Sequence, residues 1–133
     1  MMKKKLLQFD IELEFALIGI SCHLRDYRFV WLLNKALGCE FSKTKHFSLL
    51  YKEIHFSQYE SKEGFSTNYV FSNRSANGFL INNMKQVDFW MRMSQDDDLT
   101  INIEDQIKTI NTIPEVQIAF EERSQKVKEQ FVL

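Results

Sequence analysis

The sequence predicts an α+β domain: a mostly antiparallel sheet, in the order β-α-β-β-β-β-β-α-β, with two helices packed on one face. Three observations carry this expectation. Apolar residues alternate with a period of two in several short runs. In two other segments they recur at i, i+3 and i+4, the spacing of one helix face. Between these runs lie clusters of turn-forming residues.

The first run is the clearest. Phe9, Ile11, Leu13, Phe15 and Leu17 fall on one side, and Gln8, Asp10, Glu12 and Glu14 on the other, which is a strand with one buried face. Its continuation, Ile18-Gly19-Ile20, is apolar on both sides, so the far end of the strand is expected to be covered twice. Over 26–37 the period changes. Phe29, Leu32, Leu33, Ala36 and Leu37 form a helical stripe, with Asp26 placed as N-cap and Gly38 as the glycine that ends the helix. Phe47, Leu49 and Tyr51 alternate next, and a phase slip at Lys52-Glu53 passes the pattern to Ile54 and Phe56, as a bulge would. Phe65, Thr67, Tyr69 and Phe71 form another strand, and "NRSANG" (73–78) is a hairpin loop returning into Phe79-Leu80-Ile81. Val87, Phe89, Met91 and Met93 alternate again. Asn102 then opens a second helix, with Glu104 and Asp105 in its first turn, the stripe Ile103, Ile107 and Ile110, and Pro114 as its stop. Val116, Ile118 and Phe120 read as the last strand. The whole chain, 1–133, reads as a single globular domain, with 123–133 as a charged C-terminal tail able to form a short helix.

Composition narrows the function classes. A formal net charge of −1 excludes a strongly basic surface, and Lys3, Lys4 and Lys5 form the one basic run, so nucleic acid is not an expected partner. No stretch reaches the roughly 20 apolar residues of a membrane span, and Asp10, Glu12 and Glu14 interrupt the apolar core that a signal peptide would need. Two cysteines, Cys22 and Cys39, fit a reducing compartment, and a cytoplasmic location is expected. With 12 phenylalanines, a core filled by rings is expected.

The stretch "IPEVQIAF" (113–120) resembles the signature of the bacterial IPExxVDY proteins, and "ISCHLRDYRFVWLLNKALG" is similar to their N-terminal half. Ile113, Pro114 and Glu115 match the motif. Ile118, Ala119 and Phe120 stand where it has Val, Asp and Tyr, so no role for that acid or hydroxyl carries over. The resemblance implies kinship over most of the chain but brings no activity and no catalytic residue. Ile113-Pro114-Glu115 also reads simply as helix stop and strand entry.

Candidate functional residues cluster in "GISCHLRDYRF" (19–29). Cys22 precedes a helix N-terminus, where a thiolate is favoured, but its neighbour His23 leaves the strand toward the opposite face and no oxyanion loop accompanies it. No catalytic residue is therefore assigned, and no cofactor is implied. Cys22, His23, Cys39, His46 and His55 lack the spacing of metal ligands, and "DDD" (96–98) lacks that of a calcium loop, so no metal is expected. Arg25 and Arg28 are candidates for holding an anionic group at the helix start, where Asp26 competes with them. Tyr27 and Trp31 are helical neighbours lying off the apolar stripe and are candidate anchors for a protein partner or a second copy of the chain. Tyr69, Phe71 and Arg74 raise an RNA-stacking alternative, which the element order and charge oppose. The leading expectation is a non-enzymatic protein-interaction or self-associating domain. The alternative is a weak RNA- or anion-binding module.

Overall fold

The computed structural model describes residues 15–44, 47–48, 55–63, 66–76, 78–94 and 102–132. Strand β1 (Phe15–Cys22) leads into helix α1 (Asp26–Leu37). Five short strands follow: β2 (Ser42–Lys43), β3 (Phe47–Ser48), β4 (His55–Phe56), β5 (Gln58–Glu63) and β6 (Ser66–Ser72). The hairpin β7 (Arg74–Ser75) and β8 (Gly78–Phe79) precedes β9 (Phe89–Ser94). Helix α2 (Ile103–Asn111), strand β10 (Val116–Glu122) and the one-turn helix α3 (Gln125–Glu129) complete the chain. Six strands form one antiparallel sheet in the order β10-β1-β9-β6-β5-β2, and the fold is α+β, as the sequence predicts.

Strand β1 lies between β10 and β9, which explains its apolar run. Ala16, Ile18, Ile20 and Cys22 face one core, shared with Phe29, Val30 and Leu33 of α1 and with Ile103 and Ile110 of α2. Phe15 and Leu17 face the other, with Phe71, Trp90, Leu80, Ile81, Val87 and Phe131. Both helices of the prediction therefore sit on one face, and the expected double cover of the strand is present. The second cover comes from an unexpected source. The charged segment 123–133 turns its one aromatic ring inward: Phe131 is fully buried, 5.3 Å from Phe71 and 5.7 Å from Trp90 between ring centres.

Several expectations change in detail. Strand β5, "QYESKE", has no apolar alternation to announce it: Tyr59 and Ser61 are the buried residues among its described side chains. Phe79-Leu80-Ile81 is not a continuous strand: pairing stops at Phe79, and Leu80 and Ile81 are buried in the loop that follows. Val116, Ile118 and Phe120 do not share a face. The register slips where Ser21 pairs with Ile118 and Cys22 with Val116, so Gln117 is an extra residue. Val116 then points to the helix-side core, while Phe120 packs against the other and Ile118 is exposed. Residues 9–14, the slip at 52–53, His46, Phe65, Asn77 and Asp96–Asp98 lie outside the described residues.

Gly19 seats two rings. It pairs with Trp90 on one side and Phe120 on the other. These rings meet edge to face at 6.3 Å. A Cβ on Gly19 would come within 2.6 Å of Phe120 and 3.0 Å of Trp90.

The sheet's edges are guarded. Asn111, the last residue of α2, uses its side-chain amide on both backbone groups of Ala119 in edge strand β10: Nδ2 donates to the Ala119 carbonyl at 3.1 Å, and Oδ1 accepts the Ala119 N–H at 2.9 Å. The opposite edge, β2, is two residues long and carries the exposed Lys43.

Asn73 ties the second cover to the sheet. It is fully buried, and its amide is saturated: Nδ2 donates to the carbonyls of Met84 (3.0 Å) and Val87 (2.8 Å). Oδ1 accepts from the Ile81 N–H (2.8 Å) and the Trp90 indole (3.0 Å). The sequence places it in a turn; the structure makes it a hub.

Two outcomes follow in denaturant unfolding. Gly19→Ala should cost about 1–3 kcal/mol through overpacking, and less in a Phe120→Ala background, where the blocking ring is gone. Asn73→Ala should cost about 3 kcal/mol or more, because it leaves several buried polar groups without partners. A surface-like cost below 0.5 kcal/mol would contradict the hub.

Candidate functional site: a polar cleft where the first strand meets the first helix

The end of β1 is pinned by one buried acid. Asp88, in the approach to β9, donates its N–H to the Ile20 carbonyl at 2.9 Å and accepts the Asn73 N–H on its own carbonyl at 2.8 Å. Its carboxylate accepts the Cys22 N–H at 2.8 Å through Oδ2 and pairs with Arg74 Nε at 2.8 Å through Oδ1. His23 Nδ1 lies 3.9 Å from the same Oδ2, beyond hydrogen-bond reach, on a side chain 71% exposed. The hairpin β7–β8 therefore brings Arg74 to the turn that leaves β1, although some fifty residues separate them in the chain.

The chain then enters α1, with Arg25 at the N-cap position and no side-chain cap. Asp26 is the first helical residue rather than the predicted cap. Its Oδ1 accepts the adjacent Tyr27 N–H at 2.9 Å, and its Oδ2 accepts from the Tyr59 hydroxyl on β5 at 3.1 Å. The carboxylate is drawn across to the sheet instead of over the helix end. Burial pushes the Asp26 carboxyl up, but hydrogen bonds from Ser57, the Tyr27 N–H and Tyr59, with Lys43 nearby, outweigh it and hold the group below its ordinary value. Tyr59 moves the other way: burial, then the Asp26 charge and hydrogen bond, push its phenol up to about 12.

Between these anchors lies a cleft of about 340 Å³, whose polar walls include His23, Arg25, Asp26, Ser57, Arg74 and Asp88. Of the two arginines expected at the helix start, Arg25 lines it and Arg28 does not. Comparison of this chain with family models and with curated proteins finds no match. The site is thus read from its own geometry.

Cys22 also borders the cleft, yet its side chain is buried in the helix-side core. Burial raises its pKa, the nearby Asp88 and Glu115 charges add to this, and a backbone hydrogen bond at Leu24 opposes it. A protonated, buried thiol is a poor nucleophile. Cys39 donates to Asn34 Oδ1 at 3.5 Å, and among the described residues no three His, Cys, Asp or Glu side chains form a metal-binding group.

The outward face of α1 is different. Tyr27 and Trp31 are 64% and 61% exposed, and with Ile118 they are the large hydrophobic residues exposed among those described. Lys35 Nζ lies 5.1 Å from the centre of the Trp31 ring. Asn34, their neighbour, is spent inside, holding both backbone groups of Phe41. The RNA-stacking alternative loses its platform, because Phe71 is buried beneath Phe131 and Tyr69 is partly covered.

Sequence reasoning missed Asp88 and Asn73. Asp88 left one trace, a lone acid inside the apolar run "VDFW" (87–90); Asn73 was hidden by ordinary turn chemistry.

The Asp26–Tyr59 pair should govern the pH response. Asp26's folded pKa is depressed, so its contribution to stability is present above the unfolded carboxylate value, about 3.9, and is lost as pH falls through the folded one. Asp26→Asn should flatten that acid limb in urea melts. In ultraviolet titration Tyr59 should ionise near 12, and Asp26→Asn should lower this toward the ordinary phenol value while leaving the part due to burial. An unchanged titration would break the assigned link.

Proposed function

We infer that this chain is a non-enzymatic binding domain that docks another protein through the outward face of α1, with Tyr27 and Trp31 as anchors. The observation that carries the reading is the exposure of both rings, 64% and 61%, one helical turn apart on a rigid helix. Exposed Tyr and Trp at such spacing are typical of interface anchors, since each ring brings a large apolar area at little entropic cost. The exposed charges that the helix itself places beside them are of one sign. Arg25 precedes the helix, Arg28 and Lys35 flank the rings, and the helix's one acid, Asp26, is turned toward Tyr59. That face complements an acidic partner segment carrying an apolar side chain for the ring pair.

A second copy of this chain fits less well. Isologous pairing through the same face would set Arg28 and Lys35 against their own kind. A cytoplasmic setting belongs to the same reading, supported by two cysteines without disulfides. No helix among the described residues is long and apolar enough to cross a membrane. Kinship with the IPExxVDY proteins rests on Ile113-Pro114-Glu115, which form the turn into β10, and supplies no activity.

Photo-crosslinking from position 31, with p-benzoylphenylalanine in place of Trp31, tests the proposal in cells. One predominant adduct with an acidic protein is expected, reduced about tenfold or more by Tyr27→Ser, the effect of losing a binding anchor, and also reduced by Lys35→Glu. Self-adducts, nucleic-acid adducts, no adduct, or adducts indifferent to Tyr27→Ser would overturn it.

A further inference from the structure

We propose that the cleft at the β1–α1 junction is a separate binding site for a small oxyanion ligand, a carboxylate or a phosphate, clamped between Arg25 and Arg74. The argument is an account of donors and acceptors. Both acids in the cleft are already engaged by the protein. Asp88 takes the Cys22 N–H and Arg74 Nε, and Asp26 takes Tyr27, Tyr59 and Ser57. Ser72 Oγ donates to the Arg74 carbonyl at 2.8 Å and accepts the Arg74 N–H at 3.3 Å. Acceptor positions remain on the two carboxylates, but the groups that can meet an oxyanion are the donors left over. These are the guanidinium of Arg25, which no carboxylate among the described residues pairs with, the terminal nitrogens of Arg74, and the imidazole of His23.

Arg74 is held for the task. Its Nε is fixed by a buried carboxylate, and its guanidinium carbon lies 5.8 Å from the centre of the Phe79 ring, so the outer edge of the fork is oriented before any ligand arrives. The start of α1, where Arg25 provides no side-chain cap, adds a favourable dipole. A volume of about 340 Å³ suits a small molecule and is too narrow for a folded partner. The carboxylates of Asp26 and Asp88 offset much of the positive charge, so the site selects by hydrogen-bond geometry and binds weakly. Trp31 and Tyr27 do not line it, and it stands whether or not α1 docks a protein.

The test is titration of the isotopically labelled full chain with inorganic phosphate in one arm and succinate in another, with neutral succinamide as control. It follows the Nε–H signals of Arg25 and Arg74 and the ring of His23. A saturable shift with phosphate or succinate is expected, and the arm that saturates identifies the ligand class. Arg25→Gln should weaken it about tenfold, as the loss of one charge-assisted hydrogen bond would. Arg74→Lys, which keeps the charge and loses the fork, should weaken it similarly, while Trp31→Ala should leave it unchanged. Arg25 is exposed, so its variant reports even if the Arg74 variant folds poorly. Linear shifts without saturation in both arms, equal shifts with succinamide, or binding indifferent to Arg25→Gln would overturn the site.

Discussion

The saturated amide of Asn73 is the constraint on which the rest of the arrangement depends. An asparagine amide has two donors and two acceptor positions, and here all four are met by groups from the loop after β8 and by the Trp90 indole. Its backbone is equally committed: the N–H donates to the Asp88 carbonyl, and the carbonyl accepts the Leu80 N–H. One residue thus fixes the path of the loop that roofs the second core and the position of Asp88. Arg74 follows Asn73 directly, so the same constraint aims the guanidinium at Asp88. In a low-dielectric interior a fully satisfied network rigidifies its surroundings, whereas a partly satisfied one is costly.

From that hub the electrostatics of the cleft follow. A buried carboxylate demands compensation, and Asp88 receives it from a backbone amide at the end of β1 and from Arg74. Asp26 receives its own from Tyr59 and Ser57, which ties the start of α1 to the sheet at the cost of its role as helix cap. With both acids held by protein donors, the cleft keeps the Arg25 guanidinium, which no carboxylate among the described residues pairs with, beside the outer edge of the Arg74 fork. The cysteine at the same junction belongs to the core, and its thiol is held protonated by its surroundings.

Helix α1 serves two surfaces at once. Its inner stripe, Phe29, Val30 and Leu33, is buried in the helix-side core, with Phe29 stacked on Phe89 at 4.3 Å. Gly38, in the left-handed conformation at φ 64°, closes the helix, and Asn34 anchors the chain beyond it. A helix fixed at both ends and along one side presents its remaining face, with Tyr27, Trp31 and Lys35, as a rigid array. Rigidity is what makes exposed rings useful for binding, because little freedom remains to be lost.

Local periodicity determined much by itself. The stripe of α2, the Phe29 and Leu33 part of the stripe of α1 (Val30 is buried with them and Ala36 is exposed), the helix-ending Gly38, the Asn102 cap that accepts from Glu104 and Asp105, and the two-sided burial of Ile18-Gly19-Ile20 are properties of short segments, written in spacings of 2.0 and 3.6 residues. The tertiary structure decided what depends on partners far away in the chain. Strand β5 is hydrophilic and exists because β6 and β2 pair with it. The bulge at Gln117 turns Val116 away from Ile118, which no alternation within β10 could reveal. Phe131 is a core residue because the sheet presents Phe71 and Trp90 to receive it. Arg74 and Asp88 come to Cys22 and His23 across some fifty residues or more, since hydrogen bonds that close a buried network are set by where the backbone folds. Sequence alone could mark Arg25 and the ring pair; only the fold gave the first a cleft and the second an open face.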